Sequence, residues 1–206
     1  MSNTLIVSSK NIVDKVNNST FMTKFDNPVN LTNKEIALVS ASMNYSWRNI
    51  TSANNKLSYT WVGNTYNIEL PIGFYEISDI NSYCQFVFRK NGHYLVNPIT
   101  TTNVYYIDIV INQTNYSCDI ITYPIPSTLP TGYNNPNNFT FATSDYQHPS
   151  VSLTSKLNEI LGFNTNFSTG SKVSMNSITY QSTKPPNVNP NSSLLLVCDQ
   201  AARIVG

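Results

Sequence analysis

Charged side chains are scarce in this chain of 206 residues, of which only 11% are Asp, Glu, Lys or Arg, against roughly 25% in ordinary soluble domains. The 12 basic and 11 acidic residues leave a formal net charge of +1. A chain without a basic excess lacks the attraction that nucleic acid and anionic membrane surfaces exert on basic proteins. We therefore expect no direct nucleic-acid partner, and the weak repulsion between such chains suits a protein that enters an assembly.

Long apolar runs are also missing, and no stretch approaches the roughly 18 residues that a membrane-spanning helix requires. Residues 1–10 lack the basic segment and apolar stretch of a secretory signal peptide. We expect no membrane span and synthesis in the cytosol.

The three cysteines, Cys84, Cys118 and Cys198, show no CxxC spacing, which favours buried reduced thiols over a disulfide framework or a zinc site.

Catalytic signatures are missing as well. The two histidines, His93 and His148, accompany no G-x-S-x-G nucleophile turn, and we expect both in exposed loop or strand-edge positions. The sequence has no Asp-x-Asp run and no histidine pair at helical spacing, as a metal site would require. The sequence therefore predicts no catalytic residue, no cofactor and no metal.

One group of carboxylates leaves an enzymatic alternative open. Glu69, Glu76 and Asp79 flank a Pro-x-Gly turn, and paired carboxylates hydrolyse glycosidic bonds when a cleft brings them together. Asp79 is better explained as a helix cap and Glu76 as a favourable charge at a helix N-terminus. A hydrolase would require a cleft that joins these residues.

Asparagine and aromatic residues are abundant instead, with 30 Asn, 13 Tyr and 9 Phe against only 7 Gly. Asparagine favours turns, whereas aromatic side chains favour strands and interfaces. A hydrophobic fraction of 40% is enough for a core. We predict one β-rich domain over residues 1–206, which is either complete or the N-terminal part of a longer protein.

Alternating patterns and short apolar runs between turn residues mark eleven candidate segments, from which we expect eight to ten strands. The clearest are 35–49, a hairpin of 56–62 and 65–70 across Gly63-Asn64, and a hairpin of 105–112 and 116–125. The aromatic residues Tyr59 and Trp61 are expected to pack across strands. Shorter strands are predicted at 4–8, within 11–26, and at 93–96, 139–141, 175–182 and 193–199.

Two helices are predicted between the strands. The first has Ser78 or Asp79 as its cap and ends at Asn91-Gly92. The second is predicted over 150–163, with Ser152 or Thr154 as its cap and Gly162 at its C-terminus. Because helices are few and strands short, an antiparallel β-sandwich is favoured, and a single jelly roll fits the strand number.

Three segments resemble a known family. Residues 70–81, LPIGFYEISDIN, are similar to the LPxGxYxIxxIN segment of the penton-type minor capsid proteins of Polinton-like viruses, adintoviruses and virophages. Residues 157–164 resemble the LxxxLGF helix of that family, and 192–199, after the proline-rich 184–190, resemble its closing strand. The residues that carry the motif are Leu70, Pro71, Gly73, Tyr75, Ile77, Ile80, Asn81, Leu161, Gly162 and Phe163.

This resemblance implies a structural protein of the virion with a single jelly roll and no enzymatic activity. A protein of this type forms a homopentamer at the five-fold vertices of an icosahedral capsid. It abuts the major capsid protein, which contains two jelly rolls. Synthesis would then take place in the host cytosol, and residues 1–60 carry no part of the match.

Residues 126–138 are the predicted candidate interface. They are rich in Pro, Asn and Tyr without a period, and a loop of this length often has a binding or assembly role. Its residues Tyr133, Asn134, Asn135 and Pro136 are the main candidates, and the N-terminal residues 1–26 are a second candidate. The alternative to a penton is a host-attachment or glycan-binding β-sandwich module, with its aromatic contacts in the same loop.

Overall fold

The computed structural model describes residues 12–15, 21–23, 48–135, 139–153 and 156–188. The chain divides into two compact units, Met1–Asn44 and Tyr45–Gly206. In the first unit, strands β1 (Ile12–Lys15) and β2 (Phe21–Thr23) form an antiparallel pair. We predicted one strand followed by a loop within 11–26, so the second strand of this pair is a correction.

The described residues of the second unit form three antiparallel sheets, with strand orders β4-β3-β9, β10-β8-β7 and β5-β6. The described part of the chain is therefore mostly β with two short helices, as predicted for the all-β class. The predicted strands at 4–8 and 193–199, and almost all of the one at 35–49, lie outside the described residues. The elements are β3 (Lys56–Trp61), β4 (Asn64–Glu69), α1 (Ile77–Lys90), β5 (Leu95–Asn97), β6 (Thr102–Val104), β7 (Ile107–Asn112), β8 (Ser117–Thr122), β9 (Ser150–Leu153), α2 (Leu157–Leu161) and β10 (Ile178–Gln181).

The hairpin of β3 and β4 is confirmed, with its turn shifted by one residue. Trp61 pairs with Asn64, so the two turn residues are Val62 and Gly63 rather than Gly63 and Asn64. Both have positive φ angles, of 45° and 82°, as two-residue turns between twisted strands require. The predicted hairpin of β7 and β8 is also confirmed, and strand β6 between Thr102 and Val104 is an element that the sequence patterns did not predict.

The predicted helix over 150–163 is wrong in its first half. Residues 150–153 form strand β9, where Leu153 pairs with Leu57 and Val151 pairs with Tyr59 of β3. Val151 and Leu153 are both buried, so their spacing of two places them on one face of a strand. The helix is limited to α2, whose N-cap is Lys156 rather than Ser152 or Thr154.

Two further strand predictions need correction. Residues 139–141 form no strand, because the N–H of Phe139 donates to the side chain of Asn135 (2.9 Å) instead of to a neighbouring strand. The strand predicted at 93–96 begins only at Leu95. The strand predicted at 175–182 is confirmed over the shorter β10.

The core of the second unit is formed by side chains from both three-stranded sheets and from one face of each helix. Cys84 and Cys118 lie in this core as free thiols, and burial raises the pKa of both to about 12. Cys198 lies outside the described residues. No helix in the described part of the chain is long and apolar enough to span a membrane.

Candidate functional site

The turn that follows β4 is closed by backbone hydrogen bonds on both sides. The N–H of Leu70 donates to the carbonyl of Asn55 (2.8 Å). Gly73 and Ile50 exchange two hydrogen bonds, of 3.0 and 3.1 Å between N and O. Leu70 is buried and Pro71 is exposed, so these motif residues position the chain between β4 and α1.

Asn49 fixes the backbone of Tyr75 just before helix α1. Its Oδ1 accepts from the N–H of Tyr75 (2.9 Å), and its Nδ2 donates to the carbonyls of Tyr75 and Val188 (both 2.7 Å). Asn49 is itself buried. One side-chain amide therefore satisfies three backbone groups, which would each be costly to bury unpaired.

The N-cap of helix α1 lies two to three residues before the predicted caps. The N-cap is Glu76, whose N–H donates to Oδ2 of Asp79 at 2.9 Å. Ser78 and Asp79 already lie inside the helix, so Asp79 takes part in the cap from the third helical position. Ile77 and Ile80 are buried as predicted, and the helix closes at Asn91 before Gly92, whose φ is 75°.

Asn81 covers an edge of the sheet β10-β8-β7. Strand β7 is an outer strand of this sheet, and Oδ1 of Asn81 accepts from the N–H of Ile109 at 2.9 Å. One turn later, Nε2 of Gln85 donates to Oδ1 of Asp108 at 3.1 Å. Helix α1 thus lies against the side of β7 that pairs with no strand among the described residues, where exposed backbone groups would otherwise invite further strand pairing.

The second motif segment ends helix α2 against a neighbouring backbone. Leu161 and Phe163 are buried, and Gly162 between them has a φ of 80°, as helix-terminating glycines commonly do. A Cβ at Gly162 would lie 2.1 Å from the carbonyl oxygen of Lys184. The position therefore requires glycine for both its conformation and its space.

Residues 184–188 connect the two motif segments. The N–H of Lys184 donates to the carbonyl of Gly162 (3.1 Å), and that of Asn187 donates to the carbonyl of Ile160 (2.7 Å). Val188 then accepts from Asn49, which also holds Tyr75. The segments 70–81 and 157–163 thus belong to one framework, while 192–199 lies outside the described residues.

His93 lies in a buried aromatic cluster, which corrects the expected exposed position. Its ring is 2% exposed and stacks on Trp61, with a centroid distance of 4.5 Å and an interplanar angle of 9°. Asn91 donates to the hydroxyl of Tyr59 (2.8 Å), and Tyr59 and Nδ1 of His93 are 2.8 Å apart. The Tyr59 hydroxyl is then free to donate to Nδ1, and burial lowers the pKa of His93 to about 4.

His148 is buried too, again contrary to the expected exposure. Its Nε2 lies 2.9 Å from the carbonyl of Ser174, and its Nδ1 lies 3.0 Å from Oγ1 of Thr122. Because a carbonyl only accepts, Nε2 carries the proton and Nδ1 accepts from Thr122. Both ring nitrogens therefore have structural partners.

The carboxylates of the enzymatic alternative are all exposed. Glu69 ends strand β4, Glu76 caps α1 and Asp79 accepts from the N–H of Glu76. In the part of the chain that the structure describes, no group of three or more His, Cys, Asp or Glu residues is arranged to hold a metal ion.

The candidate interface is an ordered loop without helix or strand over its described residues, 126–135. Asn134 and Val96 exchange two backbone hydrogen bonds, of 2.9 and 3.0 Å, which tie the loop to β5. Tyr133 is half-buried and donates its N–H to Pro130 (3.1 Å). Asn134 and Asn135 are exposed, and Pro136 lies outside the described residues.

One groove was not predicted from the sequence. It has a volume of about 500 Å³ and lies where β6 continues into β7, beside α1 and the end of β8. No local pattern could have indicated it, because its residues come from four elements. The lining residues are Gln85, Asn103, Val104, Tyr105, Tyr106, Asp108 and Tyr123.

Comparison of the chain with known proteins gives no match to a family model, a curated protein or a solved structure. The resemblance to penton-type capsid proteins therefore rests on the quoted sequence segments alone.

Proposed function

We propose that this chain is a structural virion protein, a penton-type capsid protein that forms a homopentamer at icosahedral five-fold vertices. In this proposal it abuts a major capsid protein with two jelly rolls and acts without catalysis, cofactor or metal. The observation that carries the proposal is the framework joining segments 70–81 and 157–163 through Asn49 and residues 184–188. If two motifs of one family specify the same fold, they are expected to be joined by hydrogen bonds to the same connecting residues.

A single jelly roll is the fold that we propose for this protein. Jelly rolls contain eight antiparallel strands in two sheets. The sheets β4-β3-β9 and β10-β8-β7 provide six strands, all in antiparallel pairing. Their short strands and long connections support this architecture.

A cyclic pentamer needs two different surfaces on each subunit that are complementary to each other. The loop 126–135 is our first candidate surface, since it contains no charged residue and exposes Leu129. Its backbone is already hydrogen-bonded to β5. Docking of a neighbouring subunit would therefore cost little further conformational entropy in this loop. The loop brings no charge of its own into an interface, and the carboxylate beside it is that of Asp145, which accepts a hydrogen bond from Ser127.

The second candidate surface is an exposed apolar group, which we call the 146–175 patch. Tyr146, Val173 and Met175 are 46%, 72% and 68% exposed. They are neighbours, because Ser174 donates its N–H to the carbonyl of Tyr146 at 2.9 Å and Val173 pairs with Gln147. Clustered apolar side chains on a surface commonly mark protein contacts.

Multi-angle light scattering on the full chain, alone and mixed with the major capsid protein of the same virus, tests this function. The proposal predicts a pentamer of the 23.1 kDa chain or a mixed assembly with the capsid protein. A monomer at every concentration, together with no mixed assembly, would contradict it.

A further inference from the structure

The groove between α1, β6, β7 and the end of β8 is open to solvent and has a volume usual for a small-ligand site. Its volume of about 500 Å³ lies within the range of roughly 300–1,000 Å³ that is usual for such sites. Gln85 reaches it from α1, Asn103 from β6, Asp108 from β7 and Tyr123 from the chain after β8. Neither the loop 126–135 nor the 146–175 patch contributes a lining residue.

We propose that this groove binds a neutral saccharide. Tyr105 and Tyr123 are half-buried at its wall, and an aromatic ring of this kind offers an apolar face beside a polar hydroxyl. A sugar ring has the complementary character, with C–H groups on its faces and hydroxyls around its edge.

The polar groups of the groove can recognise hydroxyl groups from several directions. Asn103 and Gln85 each carry an amide that both donates and accepts, and Asp108 carries a carboxylate that accepts. Sugar hydroxyls likewise donate and accept. A site that hydrogen-bonds its ligand in this way discriminates strongly against analogues that lack the hydroxyls.

These polar groups are held in position before any ligand arrives. Nε2 of Gln85 donates to Oδ1 of Asp108 (3.1 Å), and Nδ2 of Asn103 donates to the hydroxyl of Tyr105 (3.2 Å). Burial, followed by the charge of Asp108 and a hydrogen bond to it, raises the pKa of Tyr123. A pre-positioned site binds without the cost of ordering its side chains.

The charge of the lining defines the ligand class further. Among the described residues that line the groove there is no Lys, Arg or His, and Asp108 is the single carboxylate. Phosphate, sulfate and sialic acid groups would be repelled there, which leaves neutral sugars. Hydrolysis of a glycosidic bond commonly uses two carboxylates, so the groove fits binding rather than cleavage.

Titration of the ¹⁵N-labelled full chain with maltotriose, cellotriose, mannotriose and N,N′-diacetylchitobiose tests the proposal by NMR. We expect the side-chain amide signals of Gln85 and Asn103 to shift saturably with at least one of them, with a Kd of about 1 mM or tighter. Asn103→Ala and Asp108→Asn should each weaken binding by about tenfold or more, which corresponds to about 1.4 kcal/mol. The control Glu159→Gln removes an exposed carboxylate of α2 outside the groove and should change nothing.

Several results would overturn the proposal. These are no saturable shift with any neutral sugar at about 10 mM, binding by both groove variants that is as tight as that of the natural chain, or binding only of sialyllactose or of a trilysine peptide. Asn103 is exposed, so Asn103→Ala keeps the test decisive if Asp108→Asn fails to fold. The NMR titration reports only on the groove, so a negative result would overturn saccharide binding and leave the assembly proposal standing. Conversely, a monomeric protein can still bind the sugar.

Discussion

Polar side chains satisfy backbone groups at the start of helix α1, whereas the end of helix α2 packs directly against the backbone of another segment. At the start of α1, the amide of Asn49 and the carboxylate of Asp79 satisfy backbone groups of Tyr75, Glu76 and Val188. At the end of α2, no side chain fits, since Gly162 lies directly against the carbonyl of Lys184.

This difference separates two kinds of sequence requirement. Near α1 the fold requires the presence of particular amide and carboxylate groups, and their loss leaves backbone groups without their side-chain partners. Near α2 the fold requires the absence of a side chain, and any added atom causes a clash. Residues 184–188 contact both places. A substitution that destabilises one of them should therefore also destabilise the other through this segment.

The largest effect is expected at the end of α2. Gly162→Ala should destabilise the protein by about 4 kcal/mol, from roughly 1–2 kcal/mol for the left-handed conformation and roughly 1–3 kcal/mol for overpacking. Urea unfolding followed by circular dichroism measures this loss. The control Gly63→Ala has a similar φ of 82° with nothing within 4 Å of the added Cβ, and should cost only the conformational part. Equal losses in both variants would contradict the role of the Lys184 contact.

The start of α1 is expected to be the next most sensitive place. Asn49→Ala removes three hydrogen bonds to partly buried backbone groups and should cost about 2–3 kcal/mol. Hydrogen exchange should increase in both 75–80 and 184–188, since Asn49 contacts both. Asn67→Ala, at an exposed position of β4, is the control and should be nearly neutral. Faster exchange confined to 75–80 would refute the connection between the two segments.

Lowering the pH should destabilise the folded chain through protonation of His93, which follows helix α1. Burial lowers its pKa from 6.5 to about 4 in the folded chain, so between these values the unfolded chain binds more protons. The stabilisation from neutral His93 is therefore complete above pH 6.5 and is lost as the pH falls towards 4. We expect a loss of about 2 kcal/mol between pH 7 and pH 5.

Urea unfolding at pH 7, 6 and 5 measures this dependence. His93→Gln carries no titrating ring, so its stability, although lower at pH 7, should change much less with pH than that of the natural chain. Parallel pH profiles for the two proteins would show that His93 is not the group responsible.

The smallest effect is expected at the sheet edge. Asn81→Ala leaves the N–H of Ile109 without its side-chain partner and should cost about 1 kcal/mol. The matched control is Ser82→Ala, because the hydroxyl of Ser82 bonds only within its own helix, to Ser78 (2.8 Å). Amide exchange at Ile109 should accelerate in Asn81→Ala and stay unchanged in Ser82→Ala; the same rate in both would exclude the edge-covering role.

Local chemistry made parts of this fold predictable. The apolar spacing of α1, the Pro-x-Gly turn at Pro71 and Gly73, and the positive φ of Gly162 depend on neighbours in sequence. The error at 150–153 has the opposite cause. Leu153 fits the start of a helical pattern that continues at Leu157, Ile160 and Leu161, but residues 150–153 pair with β3 and form a strand.

The buried histidines and the groove could not be predicted for the same reason. His93 is buried by Trp61 and Tyr59, more than 30 residues earlier, so its polar character misled the prediction. The groove joins Gln85, Asn103 and Tyr123, which share no local pattern. Such sites form only when segments that are distant in sequence pack together in the fold.

Native mass spectrometry tests the central claim most directly, namely that the motif residues build the framework while other surfaces assemble the shell. Three proteins are compared: the natural chain, Asn81→Ala, and the double variant Val173→Asp with Met175→Asp in the 146–175 patch. We predict pentamers of the 23.1 kDa chain for the first two and folded monomers for the third. A natural chain that stays monomeric both alone and when mixed with the major capsid protein, or assemblies that are lost in Asn81→Ala and kept in the patch variant, would contradict the claim.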